Sequence, residues 1–454
     1  MRPRSLRYRP VRWMFVVWLA ACAGAPARVA DVPAVPAVPA DAERHYAIWL
    51  GGAQVGTARE TEQWSSAGVV VRRLEAMRFL RGDVPVTLAT TIEITADGKL
   101  APSRVTWIEQ AQALRHGEAV RDLGGWHVTD EAGARQLRED AIPAELAPLW
   151  VRRNGWFRGP VFLPARGFVV GRGRIDPVAP RRLVARLALE AGAEAPHPVT
   201  AAATTEATIE ATAEATIDLG DDGMPSRIVD GEGVIATRIT AAEAAIPFAP
   251  VDLIAATSIP LPGTPSHRIL LEGDLALPPV PGQARRAPGP RDGGRQVDRA
   301  SSPGQVELEL SAGLTGGLPR GRTGADRTRE IAALVAEVRR RIAPDLAAHP
   351  SSARAAAAAT TGDCTTFALA YAARASARAI PTRVVTGFRV DGDRLVRHRW
   401  AVSWTGRAWI AVDAAFGAVP AGGDLVGLAI HDADDVGLVA GEAALTQLRA
   451  AAWQ

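Results

Sequence analysis

The chain is poor in cysteine, in lysine and in long apolar runs, and each scarcity narrows what it can be. Lys99 is the only lysine among 52 basic residues. An arginine bias of that kind is what a GC-rich bacterial genome imposes, so it says little about ligands. No apolar stretch approaches the roughly 20 residues that a spanning helix needs. The two cysteines are Cys22 and Cys364, far apart in the chain. What is present is ordinary globular material, 47% hydrophobic and 22% charged, and a length of 454 residues suggests two or three domains.

The beginning of the chain has a processing pattern. Arg2, Arg4, Arg7, Arg9 and Arg12 form a positive segment, and Trp13 to Ala21 form a short apolar one, as in a secretory signal. It closes on Leu19-Ala20-Ala21-Cys22, which resembles the lipobox of bacterial lipoproteins, whose cysteine is diacylated and becomes the mature N-terminus. Two acyl chains would hold the protein to a membrane of the cell envelope, facing the periplasm. An ordinary signal cleaved after Ala25 is the alternative. The five leader arginines carry most of the basic balance, and without residues 1–21 the formal charge falls from +3 to −2. A nucleic-acid partner therefore has no electrostatic support. With Cys22 lipidated, Cys364 is the only thiol of an exported protein, where a free thiol is a liability unless it is used.

The expected organisation is residues 1–22 as signal with lipobox, 23–42 as an Ala/Pro tether, 43–277 as a β-rich region, 278–304 as a Pro/Gly/Arg linker, and 305–454 as a catalytic domain. The β-rich part rests on short β-branched runs separated by turn residues, such as His45 to Leu50 and Thr87 to Thr95. The turn at Asp97-Gly98, leading into Pro102-Ser103-Arg104-Val105, has a counterpart at Asp222-Gly223 leading into Pro225-Ser226-Arg227-Ile228. That recurrence suggests two related β units, the halves of one sandwich or layered antiparallel sheet. Arginines 158, 166, 172, 174, 181, 182 and 186 are read as a solvated face. The Ala/Thr/Glu-rich run 191–215 is either a strand pair or poorly ordered.

Chemistry concentrates near the C-terminus. Ile331, Leu334, Val335, Val338 and Ile342 have the spacing of an amphipathic helix. Gly362-Asp363-Cys364 then opens a helix-forming run that continues to about Ala377, so Cys364 falls in a first turn, at the positive end of the helix dipole. Ile380-Pro381 ends that helix, because proline pushes its predecessor out of helical geometry. Two strands follow, Val396 to Trp404 and Arg407 to Val412. A two-residue loop at Thr405-Gly406 would set Val402 opposite Trp409, Trp400 opposite Ala411 and His398 opposite Asp413. A thiol, an imidazole and a carboxylate in that order are what nucleophilic catalysis by cysteine requires. The thiolate attacks a carbonyl, His398 handles the proton, and Asp413 orients the ring. The Cys364 backbone N–H and one further donor would meet the oxyanion. The acids of His431-Asp432-Ala433-Asp434-Asp435 are read as helix or turn caps rather than metal ligands.

These residues resemble the transglutaminase-like superfamily. The resemblance rests on Gly362-Asp363-Cys364, on Ile380-Pro381-Thr382-Arg383-Val384-Val385-Thr386-Gly387, on His398-Arg399-Trp400, and on Trp409-Ile410-Ala411-Val412-Asp413. It spans about residues 327–435 and implies an α+β papain-like fold with Cys364, His398 and Asp413 as catalytic residues and no cofactor. The implied substrate is a glutamine or other amide in protein or peptide, and the outcome cross-linking, deamidation or hydrolysis. Two departures stand out. The family commonly has His-Ala-Trp where this chain has Arg399, and Asp-Pro where it has Asp413-Ala414. A cysteine peptidase or amidase of the envelope is a neighbouring reading. A surface-anchored binding module with a silent site is one of a different class.

Overall fold

The computed structural model describes residues 39–454 except 112–113, 132, 139, 190–211, 286–303, 313, 315, 322 and 349–351. The leader, Cys22 and most of the tether lie outside the described residues, as does most of the Ala/Thr/Glu-rich run. Among the described residues no helix is long and apolar enough to cross a membrane.

Residues 42–239 form one 15-stranded sheet. Its strands alternate apolar and polar side chains, as in Val84–Ala96, where Val86, Leu88, Ile92 and Ile94 are buried. Most chain neighbours pair antiparallel, Ile142–Pro143 pairs parallel with Phe157–Leu163, and the first strand, Ala42–Leu50, closes onto the last, Val234–Ile239. The two free edges are consecutive in the chain, Gly133–Leu137 and Ile142–Pro143. The sheet curls, since Val105, Trp126, Phe162 and Met224 come from distant strands and loops yet share one core. The two similar turns are therefore hairpins of one continuous sheet, not halves of a sandwich. Their likeness reflects the same local requirement, with Asp97 and Asp222 each accepting backbone N–H groups within their own turn. Much of the arginine-rich stretch is paired with acids, Arg166 with Glu232, Arg182 with Asp218 and Arg186 with Glu214.

The remainder is built on a six-stranded sheet and a four-stranded one, with helices Thr328–Arg341, Cys364–Ala377 and Asp435–Leu445. The helix Thr328–Arg341 buries Ile331, Leu334, Val335 and Val338 against Phe367, Tyr371 and Ala375 of the cysteine helix. Tyr371 also shares a 2.8 Å hydrogen bond with Ser403 on the strand Arg394–Trp404. The boundary expected at residue 277 does not mark a change of structure. Ile259–Pro260 already pairs with Leu395 and Arg394, and Arg268–Gly273 already pairs with the chain's last strand, Leu448–Trp453. The expected linker is also not one over residues 278–285. Val280 and Gln283 are buried there, and Gln283 accepts from the Gly427 N–H at 2.7 Å and donates to its carbonyl at 3.1 Å. A proline-rich composition hides these contacts because none of them is local.

Candidate active site

Cys364 is the first residue of the helix Cys364–Ala377, and Asp363 is its N-cap. The Asp363 carboxylate accepts the Thr365 N–H at 3.0 Å and the Thr366 N–H at 3.3 Å, a cap of about 1 kcal/mol. Gly362 is required by packing, since a Cβ there would lie 2.2 Å from the Thr366 hydroxyl. Together these fix the start of the helix at the thiol.

His398 and Asp413 come together, though by a register that differs from the expected one. The observed pairs are Ala401 with Val412, Val402 with Ala411, Ser403 with Ile410 and Trp404 with Trp409. The loop therefore holds residues 405–408, with the Thr405 N–H donating to the Ala408 carbonyl at 2.9 Å. The Thr405 hydroxyl in turn accepts the Arg407 and Ala408 N–H groups. The shift is two residues, and the side-chain period of a strand is also two. His398 and Asp413 consequently stay on the same face as diagonal neighbours, and the imidazole Nε2 meets Asp413 Oδ2 at 2.7 Å.

Past the pair Ala401–Val412 the two strands part, while Ile259–Pro260 covers only residues 394 and 395. Among the described strands, residues 396–400 thus have a partner on one side alone, through Gly387 and its neighbours. His398 sits at the centre of that interruption. Burial in itself pushes the imidazole down. Its bonds to Asp413 and Cys364 and the charges of both outweigh burial and raise it to about 10. With Nε2 on Asp413, Nδ1 is the ring nitrogen left for Cys364. Cys364, at the helix start, acts on the same ring, and its bond and charge are among the causes that raise the imidazole.

The surroundings hold this arrangement in place. Asp413 Oδ1 accepts the N–H groups of Ala415 and Phe416 at 3.1 and 3.3 Å, which leaves Oδ2 for the ring. The departure at Asp413-Ala414 is harmless in these terms, because the Ala414 N–H takes no part in that cap. Trp400 stacks at 6.0 Å from the imidazole, and the exposed Phe416 meets it edge-on at 5.5 Å. Arg389 lies over the Phe416 ring, 3.5 Å from its centre.

Arg399, the other departure, is buried and fully engaged. It donates to Thr386 at 2.9 Å, to Thr365 in the first turn of the cysteine helix at 2.8 Å, and to Glu442 at 2.7 Å. The sequence places this charge on the strand face opposite His398, but its partners are far apart in the chain and could not be read locally. His431 lies beside the same network, bonded to Thr386 at 2.9 Å, and burial with the nearby Arg399 charge lowers it to about 3. Of the acids at 431–435, Asp434 caps the helix Asp435–Leu445 by accepting the Gly437 N–H at 2.7 Å, and Asp435 accepts the Ala353 N–H.

Comparison with known proteins agrees with this part of the molecule. Residues 313–414, which contain Cys364, His398 and Asp413, match the model of the transglutaminase-like superfamily. The chain therefore carries a transglutaminase-like domain behind a large antiparallel β region. No curated protein matches the chain. A crystal structure of a β-barrel-like protein of a domain of unknown function from Brucella abortus is similar at 9% identity and a TM-score of 0.32. It covers 44% of this chain and 95% of that one. A likeness this low carries no argument.

Proposed function

We propose that the protein is a cysteine acyltransferase or hydrolase of the transglutaminase type. It would act on amide groups of proteins or peptides within a papain-like α+β domain. What supports this reading is a buried imidazole bonded to a carboxylate at 2.7 Å, together with a thiol at a helix start whose bond and charge help raise that imidazole. His398 with a raised proton affinity favours the imidazolium, the form that can donate to a departing nitrogen. Cys364 Sγ attacks the amide carbon, and the C–N bond breaks as the His398 proton passes to the departing nitrogen. The thioester then passes its acyl group to an amine or to water, which returns a proton to His398. Asp413 holds the ring orientation throughout. The developing oxyanion is met by the Cys364 backbone N–H and one further donor, since the Thr365 and Thr366 N–H groups already serve the Asp363 cap.

Incubation with a glutamine-containing protein and a fluorescent primary amine tests the reading. Amine incorporation, or ammonia release without it, is expected from the wild type and should vanish in Cys364→Ala. The reading fails if wild type and variant give the same signal. Mass spectrometry of envelope proteins from cells with either form would separate cross-linking, deamidation and cleavage.

The same proposal places the enzyme on the cell envelope through a diacylated Cys22. Labelled palmitate incorporated by the wild type and absent from Cys22→Ser supports the anchor. Equal labelling of the two would remove it.

A further inference from the structure

The curled N-terminal sheet reaches the residue that caps the cysteine helix. Strands Gly68–Arg81 and Val84–Ala96 form a hairpin whose tip is Gly82-Asp83, and Gly82 takes the positive φ of 67° that so tight a turn demands. At the tip, Arg81 donates one guanidinium nitrogen to Asp363 Oδ2 at 2.9 Å and another to the Leu346 carbonyl at 2.8 Å. Asp363 is the residue that caps the cysteine helix, so its charge stands one residue from Cys364.

The tip is also fixed to the strand that carries the imidazole. The Leu80 N–H donates to the Val251 carbonyl at 2.8 Å, and the Gly82 N–H to Asp252 Oδ1 at 2.8 Å. Asp252 caps the short helix Leu253–Thr257, and Ile259–Pro260, two residues beyond, pairs with Leu395 and Arg394. Arg394 closes this connection with a 3.3 Å bond to the Ser258 hydroxyl. One hairpin thus holds the start of the cysteine helix on one side and the start of the histidine strand on the other.

We propose that Arg81 is a positioning residue for Cys364, acting through Asp363. Its charge cancels the carboxylate that would otherwise oppose a neighbouring thiolate. Its second bond, to Leu346, fixes the direction in which Asp363 presents its other oxygen to the helix. The N-terminal sheet is then a working part of the site rather than a separate module. This inference rests on the reading of Cys364 as the nucleophile.

The test is the pH profile of iodoacetamide alkylation at Cys364 in the full chain, followed on the Cys364 peptide by mass spectrometry so that Cys22 does not interfere. Arg81→Ala should move the midpoint upward by about one unit and slow labelling at neutral pH on the order of tenfold. Arg81→Lys should recover most of the rate, because it restores the charge. In an Asp363→Asn background, where the cap persists without charge, Arg81→Ala should have no further effect on the midpoint. A wild-type profile in a folded Arg81→Ala protein would overturn the inference, and so would a shift that persists beside Asp363→Asn. A thiol that follows Arg81 in this way but never transfers an amide would sink the amide-transfer reading and leave the Arg81 role standing.

Discussion

The large sheet and the small one treat their strands differently. In the first, interior strands are paired on both sides over most of their length, the tip of the hairpin at residues 78–88 excepted, and their buried faces meet in cores such as that of Val105, Trp126 and Phe162. In the second, the strand Arg394–Trp404 is covered at both ends and open between, over residues 396–400. Unbroken pairing satisfies the backbone and specifies shape. An interruption beside a buried His–Asp pair leaves room for a thiol from another element to reach the ring. On the proposed reading the large sheet supplies shape and, through Arg81, a hold on the cysteine helix, while the reacting groups lie at the break.

The strongest way to break that comparison is to substitute within the interruption. His398→Ala should lower amide turnover roughly a thousandfold or more, with thermal stability changed far less than activity. Steady-state rates and a melting curve on the same sample check this. The converse comes from the continuous sheet. Trp126 is fully buried and donates to the Ala141 carbonyl at 2.8 Å, so Trp126→Ala should cost about 3–5 kcal/mol of stability. Well below its own melting temperature, that variant should still label at Cys364 at the wild-type rate.

Arg399 lies between these extremes, since it ties the cysteine helix to the sheet. Arg399→Ala removes bonds to Glu442, Thr365 and Thr386, of which Glu442 keeps Arg397 at 3.7 Å and Thr386 keeps His431, and should cost about 2–4 kcal/mol by denaturant unfolding. An exposed pair of the large sheet, Arg186 with Glu214, is the control, and Arg186→Ala should change stability by no more than about 0.5 kcal/mol.

Much of the site was legible because it is local. The helix start at Cys364, its end near Ala377 and the proline stop are written in consecutive residues. The pairing of His398 with Asp413 was legible for a subtler reason. The sequence suggests a loop of two residues where there are four, yet a shift of two positions preserves the face, so the partners survive the change of register. Arg81, Arg399 and the packing of Gln283 were not legible, because each takes its meaning from residues brought close only by the fold. The closure of Ala42–Leu50 onto Val234–Ile239 belongs with them.

Histidine protonation gives a smaller test with two opposite signs. His398 is raised to about 10 from an ordinary 6.5, so what its pair adds to stability is complete below about pH 6.5 and is lost as pH rises through about 10. His431 is lowered to about 3, so its contribution is present above about pH 6.5 and is lost as pH falls toward 3. Unfolding free energy measured across this range should therefore decline at both ends. Asp413→Asn should remove most of the alkaline decline and leave the acidic one in place.

The most direct test of the account is the rate at which iodoacetamide modifies Cys364 at neutral pH, in the wild type and in His398→Ala. Rapid labelling that slows sharply when the imidazole is removed is the predicted result. Slow labelling, indifferent to His398, would mean that the imidazole does not activate the thiol, and would contradict the account.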